Sequence, residues 1–358
     1  MNNGKINCIE GLRTIGWIGM FLYYFRNAFF PEVTWWSDTT PIGVIYSETT
    51  YVRVFFVISG FVLSIKYFQK EAYDTITRDV VKRYFRLMPP VLCTEVVVYI
   101  LMRWGSFRNV DVANLTGSKE FLGAFNQFTP NLIGCIKEAL FSVYLTGSND
   151  YISSLWTMRY EYLGAILVLS AICVFRKNPW RWLFYIVFLI GFSNFYNYFV
   201  IGMLIADLYY NYDTVRIIKK YKIIHVGVVV LGWLMVSMTD LNDSDKYSRV
   251  IWGIGIILFM LGFLSSKMIE KLFGNRLMRY GGRISYATYI VQWPIIETFS
   301  CGVFLALYNK IQNYAILTGI VFVTTFVLLV VVAYILSIYI EPLGLIIAKK
   351  TKENQNVE

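Results

Sequence analysis

The chain has 358 residues, 57% of them hydrophobic and only 16% charged, with a mean hydropathy of +0.53. A soluble domain carries roughly 25% charged residues and no polar linker divides this chain, so an ordinary soluble enzyme is excluded. The net charge of +10 would suit nucleic acid, but the Lys and Arg fall in loops, where they meet anionic lipid head groups, and no nucleic-acid partner is expected.

The first apolar run, Leu12 to about Phe30, is long enough to span and lacks a small-residue cleavage site. It reads as a membrane helix rather than a cleavable signal peptide. Further apolar spans lie near residues 52–68, 91–104, 154–175, 181–193, 195–211, 223–238, 249–265, 284–307 and 315–340. A crossing helix needs about 20 residues, so 91–104 and 181–193 are short. The stretch 181–211 also reads as one helix interrupted at Ser193 and Asn194. The expected fold is an all-α, polytopic membrane helical bundle of about ten transmembrane helices over residues 1–348. A short polar cytoplasmic tail, residues 349–358, follows. No internal repeat is visible, which weakens an inverted-repeat transporter.

Loop charge orients these spans. Lys70, Arg78, Lys82, Arg83 and Arg86 share one loop, and Arg176, Lys177 and Arg181 the next of the same side. Then come Arg216, Lys219, Lys220 and Lys222, followed by Lys267, Lys271, Arg276, Arg279 and Arg283, with Lys349, Lys350 and Lys352 in the tail. The alternate loops carry Glu32, Asp38 and Glu48, and later Asp240, Asp243 and Asp245. This alternation puts both termini in the cytoplasm. Residues 105–153 form the one sizeable outer loop, punctuated by Gly117-Ser118, Pro130 and Gly147-Ser148, and 131–145 are apolar enough for a re-entrant or interfacial helix. Cys8, Cys93, Cys135, Cys173 and Cys301 are dispersed without metal-ligand or disulfide spacing, so neither a metal nor a disulfide framework is expected.

A charge in hydrocarbon costs several kcal/mol unless paired or wetted, so intramembrane charges are functional candidates. Arg13 and Arg26 lie on the first span and Arg53 on the second; Trp156, Arg159 and Glu161 sit together on the fourth, and Gln292 and Glu297 on the ninth. Arg159 and Glu161 are two apart, point away from each other on a helix, and each needs another partner. Glu161 is the foremost candidate acid. Asp207 reads as a solvated helix terminus, and Glu95 is deep enough to need a partner. The sole histidine, His225, follows Lys219, Lys220 and Lys222 and reads as a head-group contact. Lys82-Arg83-Tyr84-Phe85-Arg86-Leu87-Met88-Pro89-Pro90 places basic residues on one helix face, which suits a polyphosphate or a lipid surface, and its Pro pair marks a turn into the third span.

These pieces fall in an order. Glu10-Gly11-Leu12-Arg13 leads the first span and Phe55-Phe56-Val57-Ile58-Ser59-Gly60-Phe61 lies in the second. After Lys82 to Pro90 come Ser154-Leu155-Trp156-Thr157 with Glu161, Gly282-Arg283-Ile284-Ser285-Tyr286-Ala287-Thr288-Tyr289 ending near Trp293-Pro294, and Glu341-Pro342-Leu343. This resembles the acyltransferase type 3 family of membrane acyltransferases across nearly the whole chain. The resemblance implies an O-acyltransferase of the plasma membrane that uses cytosolic acyl-CoA, most simply acetyl-CoA, as cosubstrate and holds no bound cofactor. Its acceptor would be a hydroxyl of a cell-surface glycan or lipid-linked saccharide. Arg13, Arg83 and Arg86 would bind the donor's phosphates with their guanidinium forks. Trp156 and Glu161, with Arg26, Arg159 and Gln292, would line the buried site, and Ser59 and Gly60 would let helices approach closely.

The chain departs from the family pattern at three positions. Tyr24 and Gln292 stand where the family usually has histidine, and Arg53 where it often has aspartate. Tyrosine titrates near pH 10, so Tyr24 serves as a base only beside a cation, which Arg53 would supply. The alternative base is Glu161. Two other readings fit these residues: a non-catalytic relative that binds donor or glycan, and a transporter with Arg26, Arg53, Arg159 and Glu161 on its path.

Overall fold

A computed structural model describes residues 6–31, 43, 47–71, 73–176, 178–191, 194–212, 214–220, 222–238 and 245–355, and they contain helices and no strand. Glu32, Asp38, Lys177, Ser193, Asp240 and Asp243, used above for loop charge and span limits, lie outside the described residues, as do the side chains of Lys219, Lys222, Lys349, Lys350 and Lys352.

The helices are α1 (Asn7–Phe29), α2 (Glu48–Lys70), α3 (Ile76–Arg103), α4 (Asn109–Thr116), α5 (Leu132–Lys137), α6 (Val143–Leu145), α7 (Thr157–Phe175), α8 (Arg181–Gly191) and α9 (Tyr196–Tyr210). There follow α10 (Thr214–Lys220), α11 (Lys222–Met238), α12 (Lys246–Ser265), α13 (Lys267–Phe273), α14 (Arg276–Ile295), α15 (Cys301–Tyr308), α16 (Tyr314–Ile335) and α17 (Glu341–Gln355). Single π-helical segments, Glu138–Ser142, Ile296–Ser300 and Leu336–Ile340, join α5 to α6, α14 to α15 and α16 to α17. The apolar stretch at 131–145 is therefore helical, and the expected tail continues as helix to Gln355.

Among the described residues, six helices are long and apolar enough to cross a membrane: Glu48–Lys70, Ile76–Arg103, Ser153–Phe175, Tyr247–Ser265, Arg276–Tyr308 and Tyr314–Ala348. Arg181–Gly191 and His225–Ser237 are apolar but shorter. The remaining expected spans, 12–30 and 195–211, correspond to α1 and α9. The first carries Glu10, Arg13 and Arg26 along its length, and the second has only 15 residues. The stretch 181–211 is a pair, α8 and α9, rather than one helix.

The chain divides into two compact units. The first comprises Met1–Met20, Trp36–Val80 and Tyr160–Gly282; the second comprises Phe21–Trp35, Val81–Arg159 and Arg283–Glu358.

In the first unit α2 and α9 pack backbone to backbone. A β-carbon on Gly60 would collide with the Phe199 carbonyl, and one on Gly202 with the Val57 carbonyl. Small residues permit such approach where hydrocarbon offers no hydrophobic driving force between helices. The expectation of a solvated Asp207 is overturned. Its carboxylate is fully buried and accepts both Arg181 Nε (2.6 Å) and Nη2 (3.1 Å), with Tyr185 Oη and Asn211 Nδ2 also donating to it. Hydropathy placed Asp207 near a helix end but gave no sign that Arg181, at the start of α8, returns to it. His225 pairs through Nε2 with the Gly262 carbonyl at 3.1 Å.

In the second unit the Pro pair does not mark a turn. Pro89 and Pro90 lie inside α3, which runs unbroken through them. Pro89 has no N–H for the Phe85 carbonyl four residues earlier. The backbone of Gly344 packs against that carbonyl so closely that a β-carbon there would clash with it. Just beyond Phe85 along the same helix, Tyr286 Oη donates to the Leu87 carbonyl at 2.7 Å. Gly344 thus covers the Phe85 carbonyl that Pro89 leaves without a helical donor, while the Leu87 carbonyl, whose own helical donor is Val91, gains Tyr286 as an added partner.

Removing one partner of a buried ion pair costs about 3–5 kcal/mol, because the other charge is left unpaired. Asp207→Ala and Arg181→Ala are each expected to lower the apparent melting temperature in detergent by several degrees. The double variant should lose clearly less than the sum; additive losses would contradict a coupled pair.

Candidate functional site

Arg13, Arg53, Ser59 and Glu161 belong to the first unit, and Tyr24, Arg26, Arg83, Arg86, Trp156, Arg159 and Gln292 to the second. Each group is built from its own unit outward.

In the first unit, the motif residue Ser59 faces α7 and donates its hydroxyl proton to Glu161 Oε1 at 2.8 Å. Glu161 is half-buried, so its carboxylate is reachable while one oxygen is fixed. Ser59 can occupy this place because the next residue, Gly60, lets α2 lie directly on α9, and Gly164, one turn past Glu161, leaves room for the Phe199 ring. A single cluster of helices therefore positions a serine hydroxyl against a carboxylate. Arg53, less than two turns before Ser59, is 2% exposed, and its guanidinium lies over the rings of Tyr198 (5.3 Å) and Trp252 (5.5 Å). Desolvated cation–π contacts of this kind are worth about 2 kcal/mol and hold the charge in place. Arg13 lies 3.8 Å from Glu10. Its helix is locked to α14 by Thr14 Oγ1, which donates to the Met278 carbonyl (2.6 Å), and by Trp17 Nε1, which donates to that of Gly281 (3.2 Å).

In the second unit Tyr24 is buried against aromatic rings, with centroids 6.0 Å from Phe121 and 5.2 Å from Trp293. Gln292, beside Trp293, is 1% exposed. Arg26 approaches Asn27 Oδ1 at 3.5 Å. Arg83 is half-buried, and the exposed Arg86 acts electrostatically on Glu341, which opens the last motif. Arg159 is exposed and donates to the Thr146 carbonyl at 3.4 Å, while Trp156 is partly exposed. Arg159 and Glu161 therefore turn to different partners, as their spacing of two requires. The tyrosines of Gly282 to Tyr289 reach the other motifs: Tyr289 Oη bonds both Thr157 Oγ1 (2.6 Å) and the Ser154 carbonyl.

The sequence left Glu95 without a partner, and the structure supplies an acidic neighbourhood. Glu95 is fully buried and neither oxygen is hydrogen-bonded among the described residues. Its electrostatic neighbours include Glu138 and Asp150. The Glu138 carboxylate accepts from Ser148 Oγ (2.7 Å) and Tyr151 N (3.2 Å), yet burial still pushes it above the usual carboxylate range. Cys135 is pushed up to about 12, chiefly by burial and then by the negative charge of Glu95 and Glu138. Asn126, which the sequence reading passed over, donates to Glu297 Oε2 at 2.8 Å. A polar residue in a loop gives no sequence signal for such a long-range contact.

Among the described residues no cluster of His, Cys, Asp and Glu could hold a metal ion. A sequence profile described as an acyltransferase domain matches residues 6–341. The chain belongs to that family. No curated protein and no solved structure matches it. The membrane acyltransferase family assignment and the apolar helices together make this an integral membrane protein of acyltransferase type.

The thiolate, not the thiol, is the reactive form of cysteine, and a raised pKa depletes it at neutral pH. Cys135 should resist N-ethylmaleimide at about pH 7.5 in the folded protein and react after denaturation in SDS. Rapid labelling of the native protein at Cys135, read by peptide mass spectrometry, would contradict its burial.

Proposed function

We propose that this acyltransferase moves an acyl group, most simply acetyl, from cytosolic acyl-CoA to a hydroxyl of a cell-surface glycan or lipid-linked saccharide. It would lie in the plasma membrane with about ten spans and both termini inside, an orientation supported by the alternation of loop charge. The observation that carries the reading is the Ser59–Glu161 hydrogen bond, because it joins two family motifs into a positioned carboxylate.

Acyl transfer to a hydroxyl needs the acceptor's proton removed as oxygen attacks the thioester carbonyl. A placed base contributes roughly 10²–10⁴-fold to such a step. Glu161 is the base in this reading: the acceptor O–H proton passes to its carboxylate, the new ester C–O bond forms, the C–S bond breaks, and CoA leaves as the thiolate. Ser59 is a positioning residue that fixes the carboxylate. Arg53, held over two rings, keeps a positive charge in the same unit, where charge develops on the thioester oxygen. Arg83 and Arg86, both of the second unit, are assigned to the donor's phosphates, which guanidinium groups recognise in bidentate fashion.

Purified protein in nanodiscs, supplied with acetyl-CoA labelled in the acetyl group and membranes as acceptor source, should place label in the carbohydrate fraction. Glu161→Gln should reduce the rate by at least about 100-fold. Ser59→Ala should cost about 10-fold, the worth of a hydrogen bond to a charged group. Donor binding without any turnover by the unaltered protein would replace this reading with that of a non-catalytic relative.

A further inference from the structure

Residues 131–146 belong to the loop that joins α3 to α7, yet they run far back along α3. Cys135 and Glu138, early in this stretch, are electrostatic neighbours of Glu95. Further on, the Leu140 carbonyl accepts the Tyr84 hydroxyl at 2.7 Å, and the Tyr144 ring meets that of Tyr84 edge-on at 5.4 Å. Tyr84 lies 19 residues before α3 ends at Arg103, where the loop begins, which is about 28 Å along a continuous helix. The hydrocarbon core is about 30 Å thick, so a segment resting on the membrane surface could not make these contacts. All of these residues belong to the second unit.

The chain then returns the way it came. Thr146 N and Gly147 N both donate to the Ser142 carbonyl (2.9 Å each), and Gly147 turns in the left-handed region (φ 78°). Ser148 Oγ and Tyr151 N donate to the Glu138 carboxylate. Tyr151 Oη reaches Asn131, where the segment starts, donating to its carbonyl (2.8 Å) and accepting from its N–H (2.9 Å). Arg159 supplies a donor to the Thr146 carbonyl (3.4 Å). The backbone at the tip thus finds its partners within the protein, the condition on which hydrocarbon admits non-helical chain.

One face of the segment, with Cys135, Glu138 and Tyr144, is buried. The other carries Leu132, Ile133, Ile136, Phe141 and Leu145, which are between 38% and 77% exposed. The charge on this side, Lys137, is less than two turns from Asn131, within reach of the interface for a side chain that snorkels. A run of large apolar side chains is an unfavourable surface in water, whereas in hydrocarbon it needs no protein partner.

We infer that Leu132–Leu145 is a re-entrant segment that packs on phospholipid acyl chains through Leu132, Ile133, Ile136, Phe141 and Leu145. Depth identifies the occupant: between the levels of Arg103 and Tyr84, an exposed side chain is surrounded by hydrocarbon. The inference rests on the membrane assignment and is independent of the group transferred.

The test uses the unaltered protein in nanodiscs whose phospholipid carries a diazirine midway along one acyl chain, irradiated and read by peptide mass spectrometry. Adducts are expected on Leu132–Leu145, as on the apolar helix Tyr314–Ile335. In parallel, Ile136→Cys and Phe141→Cys are compared with Lys119→Cys, an exposed site of the same loop, for reaction with a membrane-impermeant maleimide. A thiolate is disfavoured in hydrocarbon, so both should react at least about 100-fold more slowly at the substituted position than Lys119→Cys does. Lipid adducts on Tyr314–Ile335 with none on Leu132–Leu145 would overturn the inference. Rapid maleimide labelling of Phe141→Cys would also overturn it, by placing the stripe in water. Cross-linking of Phe141→Cys between copies by a short bis-maleimide, in place of lipid adducts, would overturn it in favour of contact with a second copy of the chain.

Discussion

Water does not enter the hydrocarbon core, so every polar group there must find its partner within the protein. In this chain that constraint explains how the motifs of the second unit come together. Two consecutive prolines in α3 cannot donate N–H groups, and the carbonyl of Phe85 is left without its helical donor. Only a residue without a side chain can bring its backbone against that carbonyl, and Gly344 does so directly after Glu341-Pro342-Leu343. The Tyr286 hydroxyl covers the backbone at Leu87, and the Tyr289 hydroxyl ties the same helix to Ser154 and Thr157. Residues as far apart in sequence as Leu87 and Tyr286 are thereby joined by a hydrogen bond from side chain to backbone.

The charges answer the same constraint in three different ways. Arg181 and Asp207 close on each other, and Tyr185 and Asn211 complete the carboxylate's bonds; such a saturated network rigidifies the helices it joins. Arg53 disperses its charge over the Tyr198 and Trp252 rings. Glu161 is half-buried and takes a hydrogen bond from the neutral Ser59, which orients one carboxylate oxygen. Among these three arrangements only that of Glu161 leaves the residue half-exposed.

Much of this architecture was legible in the amino-acid order. Apolar runs located the long helices, and the order of motifs located the family, because both are written along the chain. Partnerships were not. Asp207 read as a solvated terminus because the arginine that buries it is 26 positions earlier on another helix. The Pro pair read as a turn because proline ends helices in water, whereas here α3 runs through it with Gly344 packed on the Phe85 carbonyl. Arg159 read as a buried charge because the hydropathy of its span continues past it, yet it lies in the first turn of α7 and reaches back to Thr146. The separate partners of Arg159 and Glu161 were legible, because a spacing of two turns their side chains apart on a helix.

The same spacing decides how Glu161 is held. On a helix, residues two apart point about 200° from each other, so α7 turns Arg159 toward the loop at Thr146 and Glu161 toward α2. Glu161 then depends on α2 for its orientation, and α2 depends on α9, where Gly60 and Gly202 set the closest approach. A larger residue at either glycine would move Ser59 along with its helix, with no change to the carboxylate itself. The close packing of α2 and α9 turns the position of one hydroxyl into a property of two helices, which is more rigid than any loop could make it.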